Sequence, residues 1–166
     1  MSSCMGRLLA AACCGVSLLS FVSVEAPAES PDWVLEAIED ATLDPGELHY
    51  FHGVHRDCPL ADSDAARIIE QALTRNGIEP RRLARSRELS DHLFLDLWVS
   101  CVERAGSFVY VIDTYLALHS PLDGQRMFIA QRFGRFGAGD RASILQSMRE
   151  SVDGAVSAYL QANRNG

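Results

Sequence analysis

Two hydrophobic periodicities divide the chain. Residues 48–54 are rich in aromatic and branched side chains between turn residues, and from Leu93 to Phe133 an apolar set recurs at every second position, the period of strands with one buried face. Three other stretches repeat every three to four residues, the period of amphipathic helices. "SPDWVLEAIEDATLDPGE" opens with Ser30 as N-cap and Pro31 at the first helical position, and it stops at Asp44-Pro45-Gly46. "DSDAARIIEQALTRNGI" is capped by Asp62 or Ser63, buries Ala65, Ile68, Ile69, Ala72 and Leu73, and ends at Asn76-Gly77. The last helix carries Ile144, Leu145, Met148, Val152, Ala155, Val156, Tyr159 and Leu160 on one stripe.

Between the last two helices lies "HLFLDLWVSCVERAGSFVYVIDTYLALHSPLDGQRMFIAQRFGRFGAG", which reads as two successive hairpins. With Ala105-Gly106 as the first turn, residues whose numbers sum to 211 face each other; with Asp123-Gly124 as the second, the sum is 247. Both registers put Leu93, Leu95, Val99, Cys101, Tyr110, Ile112, Leu116 and Leu118 on one face, which must be the core, because a slip of one residue would expose the whole set. The predicted fold is α+β, an antiparallel three- to four-stranded sheet with helices packed on one face, in the order α-β-α-β-β-β-α. The basic connection "EPRRLARSRELSD" has room for a short edge strand.

The first 28 residues stand apart from this pattern. One Arg, a continuous apolar run from Leu8 to Val24 and the small residues Ala26-Pro27-Ala28 read as an export signal cut after Ala28. The run is near the lower limit of a membrane span, so an uncleaved anchor is the alternative, and only in that case does the chain meet a membrane. Cys13 and Cys14 after "LLAAA" resemble a lipoprotein signal, but the run from Arg7 is short for one. The domains expected are thus 1–28 as signal, 29–46 as a short helix and turn, and 47–166 as a single α+β domain. An exported chain, periplasmic or secreted, is oxidised, so Cys58 and Cys101 are expected to form a disulfide.

Composition removes several chemistries. All fifteen basic residues are Arg, so a P-loop lysine, a pyridoxal Schiff base and any Ser-Lys mechanism are excluded. A net charge of −7 argues against nucleic acid as a partner. "FGRFGAGDRAS" reads as a Gly-rich turn before a helix, yet Gly134, Gly137 and Gly139 match neither the dinucleotide nor the P-loop spacing, and Asp140 would fill the helix N-terminus. No nucleophile-base set or paired carboxylates can be placed, so no catalytic residue is assigned and no cofactor is expected.

The face opposite the core supplies the candidate site. The two registers align His92, His119 and Phe128 in one row, Phe94, Ala117 and Ala130 in the next, then Asp96, Tyr115 and Arg132, then Trp98, Asp113 and Gly134. Cross-strand pairing on a solvated face accounts for the charges alone. Phe94, Trp98, Tyr115 and Phe128 add more aromatic surface than water contact requires, which suits a protein partner or self-association. The expectation is an exported non-catalytic accessory or binding domain that uses this outer face.

Histidine supplies the competing reading, a protein binding a transition metal such as zinc. "LHYFHGVHRDC" holds His49, His52 and His55, but on a strand His49 and His55 face one way and His52 the other. His92 beside His119 offers two ligands, and His49 or His55 would add a third if the first strand docked next to them.

Overall fold

The computed structural model describes residues 46–84, 93–122 and 125–165, with side chains described except over 119–129 and at 165. It contains strands β1 (Glu47–Val54), β2 (Glu79–Arg82), β3 (Phe94–Arg104), β4 (Ser107–Leu122), β5 (Gln125–Arg132) and β6 (Arg135–Gly139), with helices α1 (Asp62–Arg75) after β1 and α2 (Arg141–Asn165) after β6. The helix expected over 30–41 and the export signal lie outside the described residues. No helix among the described residues is long and apolar enough to cross a membrane.

The general α+β expectation stands, but the antiparallel three- to four-stranded sheet does not. The sheet has six strands and is mixed, in the order β2-β1-β3-β4-β5, with β6 beside the first half of β4. β1 runs parallel to both β2 and β3, whereas β3, β4, β5 and β6 pair antiparallel. The physical reason is the connection. A tight turn returns the chain antiparallel, but β1 and β2 are joined through α1, and a helical crossover is what parallel neighbours require. The edge strand for which the basic connection had room is β2.

The antiparallel half follows the arithmetic of its turns. Phe94 faces Ala117 and Arg104 faces Ser107 across β3 and β4, while Tyr115 faces Arg132 and Leu122 faces Gln125 across β4 and β5. Ala105 at φ 50° and Gly106 at φ 79° close the first hairpin with both central residues left-handed, the geometry that matches strand twist. The second register does not stop at Gly134: β6 continues it, with Ile112 facing Arg135 and Phe108 facing Gly139. The segment expected as a Gly-rich turn is therefore a strand.

One face of the sheet and the two helices form the core. Leu95, Leu97, Val99, Ile112 and Leu116 meet Ile69 and Leu73 of α1 and Ile144, Met148, Val152 and Tyr159 of α2, all buried. The helix starts are tied together by one carboxylate. Asp64 Oδ2 accepts from the Ala61 N–H at 3.0 Å, which caps α1, and from Arg141 at 2.8 Å at the start of α2. The Ala61 N–H, working against burial and aided by Arg141, holds the Asp64 carboxyl below the usual range.

Cys58 and Cys101 are bonded, with Cα atoms 5.0 Å apart and 43 residues between them in sequence. The chain turns sharply after β1, with the His55 N–H donating to the Val99 carbonyl and the Cys58 N–H to the His55 carbonyl, which delivers Cys58 to the core end of β3. Replacing both cysteines by Ala is expected to lower stability by about 2–5 kcal/mol, read from urea unfolding of oxidised parent and variant at the same pH. A change under about 1 kcal/mol would mean that the bridge adds little to the packing around it.

Candidate functional site

The outer face is assembled from alternate residues of every strand. Asp96 of β3 stands between Phe51 of β1 and Tyr115 of β4, and Arg132 of β5 follows in the same row. The next row is Gly53, Trp98, Asp113 and Gly134 in register, with Gly134 in the link between β5 and β6. The sequence registers thus bring Asp96, Tyr115, Arg132, Trp98 and Asp113 together as expected. They could not reveal β1, which adds Phe51 beside Asp96 because a parallel neighbour leaves no turn signal.

The two glycines that end the lower row are there for space. A Cβ on Gly53 would lie 2.5 Å from the Trp98 ring, and one on Gly134 would lie 2.9 Å from Arg132 Nε. Trp98 therefore lies across the β1 backbone, its ring 5.5 Å from that of Phe51 and tilted by 51°. Arg132 reaches diagonally across the Gly134 position, where its Nε donates to Asp113 Oδ1 at 2.7 Å, and its Nη2 contacts the same oxygen. Tyr115 also accepts a hydrogen bond from Arg132, while burial keeps its phenol above the ordinary range.

Asp96 is the anomaly of this face. It is only 6% exposed, and its Oδ1 has no hydrogen-bond partner among the described residues. Burial pushes the carboxyl up to about 6, against a hydrogen bond from Trp98 that favours the charged form. Phe94 and Ala117, on the same face, are 0% exposed and stand outside the hydrophobic cluster beneath α1 and α2. Of the aromatics expected to be open, Phe94 is closed and Trp98 is open; Tyr115 is intermediate.

The open half lies beyond Trp98. The exposed large hydrophobic residues among those described are Trp98, Val102, Val109, Val111 and Phe136, and all five point from the outer face. Val102 faces Val109, which also faces Ala138, and Val111 faces Phe136. Sequence reasoning ended the third strand at Gly134 and so missed Val109, Val111 and Phe136 as neighbours. Carrying the sum of 247 further along the strand would have aligned them.

The histidines scatter. His49 sits on the outer face, 3.5 Å from Glu47, and His55 lies 3.5 Å from Asp57 in the turn after β1. His52 points inward, stacked near Tyr50, with its Nε2 3.1 Å from Asp62 Oδ2. β1 docks beside β3 with His49 next to Phe94. His92 lies outside the described residues, and His119 is described only as the backbone partner of Phe128. Among the described residues no three His, Cys, Asp or Glu side chains gather as a metal site. The Arg-rich end of β6 is likewise occupied: Arg141 holds Asp64, Arg132 holds Asp113, and Asp140 Oδ1 accepts from the Ser143 N–H at the start of α2.

No family model matches the chain, and no curated protein does. Among solved structures, a dodecamer of a PelC point variant from Paraburkholderia phytofirmans is similar at 15% sequence identity and a TM-score of 0.44, over 70% of this chain and 88% of that one. A likeness that distant carries nothing about the site.

Two substitutions test this geometry. Gly53→Ala forces the Trp98 ring off β1 and is expected to cost about 1–3 kcal/mol in urea unfolding, with a shift in Trp98 emission; no emission change would place the ring elsewhere. Asp96→Asn tests the buried carboxyl. Its folded-state value, about 6, lies above the unfolded one, so stability is full below about pH 4 and falls as pH rises through 6. The loss comes to about 3 kcal/mol, and the amide, which cannot ionise, is expected to remove that slope and to gain roughly 1–3 kcal/mol at pH 7. A variant less stable than the parent at pH 7 would show that the Asp96 charge is compensated.

Proposed function

We propose that the protein is an exported, non-catalytic binding domain that engages a protein partner through the open half of its outer sheet face. The observation that carries this reading is the gathering of Trp98, Val102, Val109, Val111 and Phe136 on one side of the sheet, opposite the two helices. Contiguous apolar surface in neighbouring rows marks interaction sites, whereas single scattered apolar side chains do not. The patch is rimmed by polar groups, Asp113 with Arg132 at one end and Arg104 with Ser107 at the other, the pattern of an interface core and its edge.

Export is supported by the N-terminal pattern and by the Cys58–Cys101 bond, which is at home in an oxidising compartment. Covering a side chain such as Phe136 contributes about 1.5–3 kcal/mol, so its loss weakens association by roughly tenfold or more.

The test is photo-crosslinking in the producing cell, with the crosslinker placed at Phe136 or, as control, at Glu150 on the exposed side of α2, followed by mass spectrometry. Expected are a mature chain starting near Glu29 and a discrete crosslinked protein from Phe136 but not Glu150, reduced when Trp98 or Val111 is replaced by Ser. Equal crosslinking from both positions, or a chain retained in the cytoplasm, would overturn the reading.

A further inference from the structure

The two edges of the described sheet are built differently. At one edge, the Glu79 N–H donates to the Gly46 carbonyl and the Leu83 N–H to the Tyr50 carbonyl. The odd-numbered residues of β2 therefore turn their backbone groups to β1, and Pro80 and Arg82 turn theirs outward. Proline has no N–H, so this four-residue strand offers Arg82 alone as an outward donor, and it is blunted against a further strand.

The other edge has no such protection. β5 and β6 follow one register along β4, and in the link between them the Phe133 N–H donates to the Thr114 carbonyl. Odd-numbered residues here bond β4, so Ala130, Arg132, Gly134, Phe136 and Ala138 aim their N–H and C=O groups away from the sheet. No described strand lies beyond them. Gln125 to Gly139 contains no proline, and Phe136 and Ala138 are exposed. Native sheets ordinarily cover or blunt a row of open backbone groups of that length.

We infer that the β5–β6 edge receives an extended segment of the protein partner as an added strand, apolar at alternate positions and carrying acidic side chains. Open main-chain groups supply the pairing and the side chains beside them supply the selection. Phe136 and Ala138 lie on the outer face next to Val111 and Val109, so the added strand's side chains on that face continue the apolar rows. The sign of charge follows from the edge itself. Gln125 to Gly139 holds three arginines and no acid in a chain of net charge −7. Two copies joined edge to edge would set arginine-bearing strands against each other, and like charges oppose strand pairing, so the occupant comes from a different molecule. The inference names how the partner proposed above is held, and it rests on that reading.

The test is made with the full chain in the producing cell. A photo-crosslinking residue is placed in turn at Ala130, Phe136 and Ala138, and the partner residues reached are mapped by mass spectrometry. An added strand is expected to give partner sites that advance along one segment, with the same spacing as the positions that reach them. Ala138→Pro deletes one outward N–H and spares the bonds to β4. It is expected to lower the Phe136 crosslink roughly tenfold while the variant still folds, as judged by urea unfolding; Ala130→Pro repeats the test if that variant does not fold. Partner sites scattered over several segments, or an undiminished crosslink in a folded proline variant, would overturn the inference. So would crosslinks to the chain's own residues or, with isotope-labelled copies, to a second copy. The absence of any Phe136 adduct removes the outer-face reading and this one with it. An adduct that survives Ala138→Pro but is lost in Val111→Ser keeps the apolar patch and removes the added strand.

Discussion

The sheet depends on the unbroken side-to-side alternation of β4. This strand is sixteen residues long and is paired along both edges, to β3 on one and to β5 and β6 on the other. Each of its residues is therefore committed to a face by its neighbours, and a slip against either side would turn Ile112, Leu116 and Leu118 out of the core. The same commitment acts on the outer face. Asp113, Tyr115 and Ala117 are held in line with residues of β3 and of β5 and its extension, so the arrangement of charges and rings there is as fixed as the packing beneath it.

This explains which parts of the structure were legible. A turn such as Ala105-Gly106 fixes the register of both strands that leave it, so counting outward from the turn is enough to place Trp98 beside Asp113 and Asp96 beside Tyr115. Parallel contacts have no such marker. The pairing of His49 with Phe94 is set by packing after a helical crossover, and nothing in "LHYFHGV" announces which neighbour it will find. The third strand was cut short for a different reason. Glycine commonly signals a turn, but Gly134 sits where Arg132 needs room and Gly137 where Tyr110 does, so here the signal reports crowding from a neighbour.

The candidate site divides along the same line. Its charged members came from antiparallel registers and were found. Phe51, the member from β1, and the exposed Val109, Val111 and Phe136, beyond the point where the strand was ended, were not. The burial of Asp96 could not be read from pattern either, because alternation assigns a side chain to a face without saying what covers that face. A charged residue placed among four aromatics is the kind of local inconsistency that a stable fold tolerates only with compensation elsewhere, and such positions concentrate at functional sites.

The disulfide has a consequence in time as well as in stability. β1 must find β3 across a separation of 45 residues, the most distant strand pairing in the described sheet, whereas β3, β4 and β5 meet through short turns. Pairings between remote segments carry the larger loop-closure entropy and form late. The Cys58–Cys101 bond lies just past the end of that β1–β3 contact and, once made, turns a remote encounter into a nearby one. An oxidised chain that is unfolded and then released re-enters with its hardest search already completed, so the redox state of the compartment sets how quickly the parallel half of this sheet, and with it the pairing of Phe51 beside Asp96, is assembled.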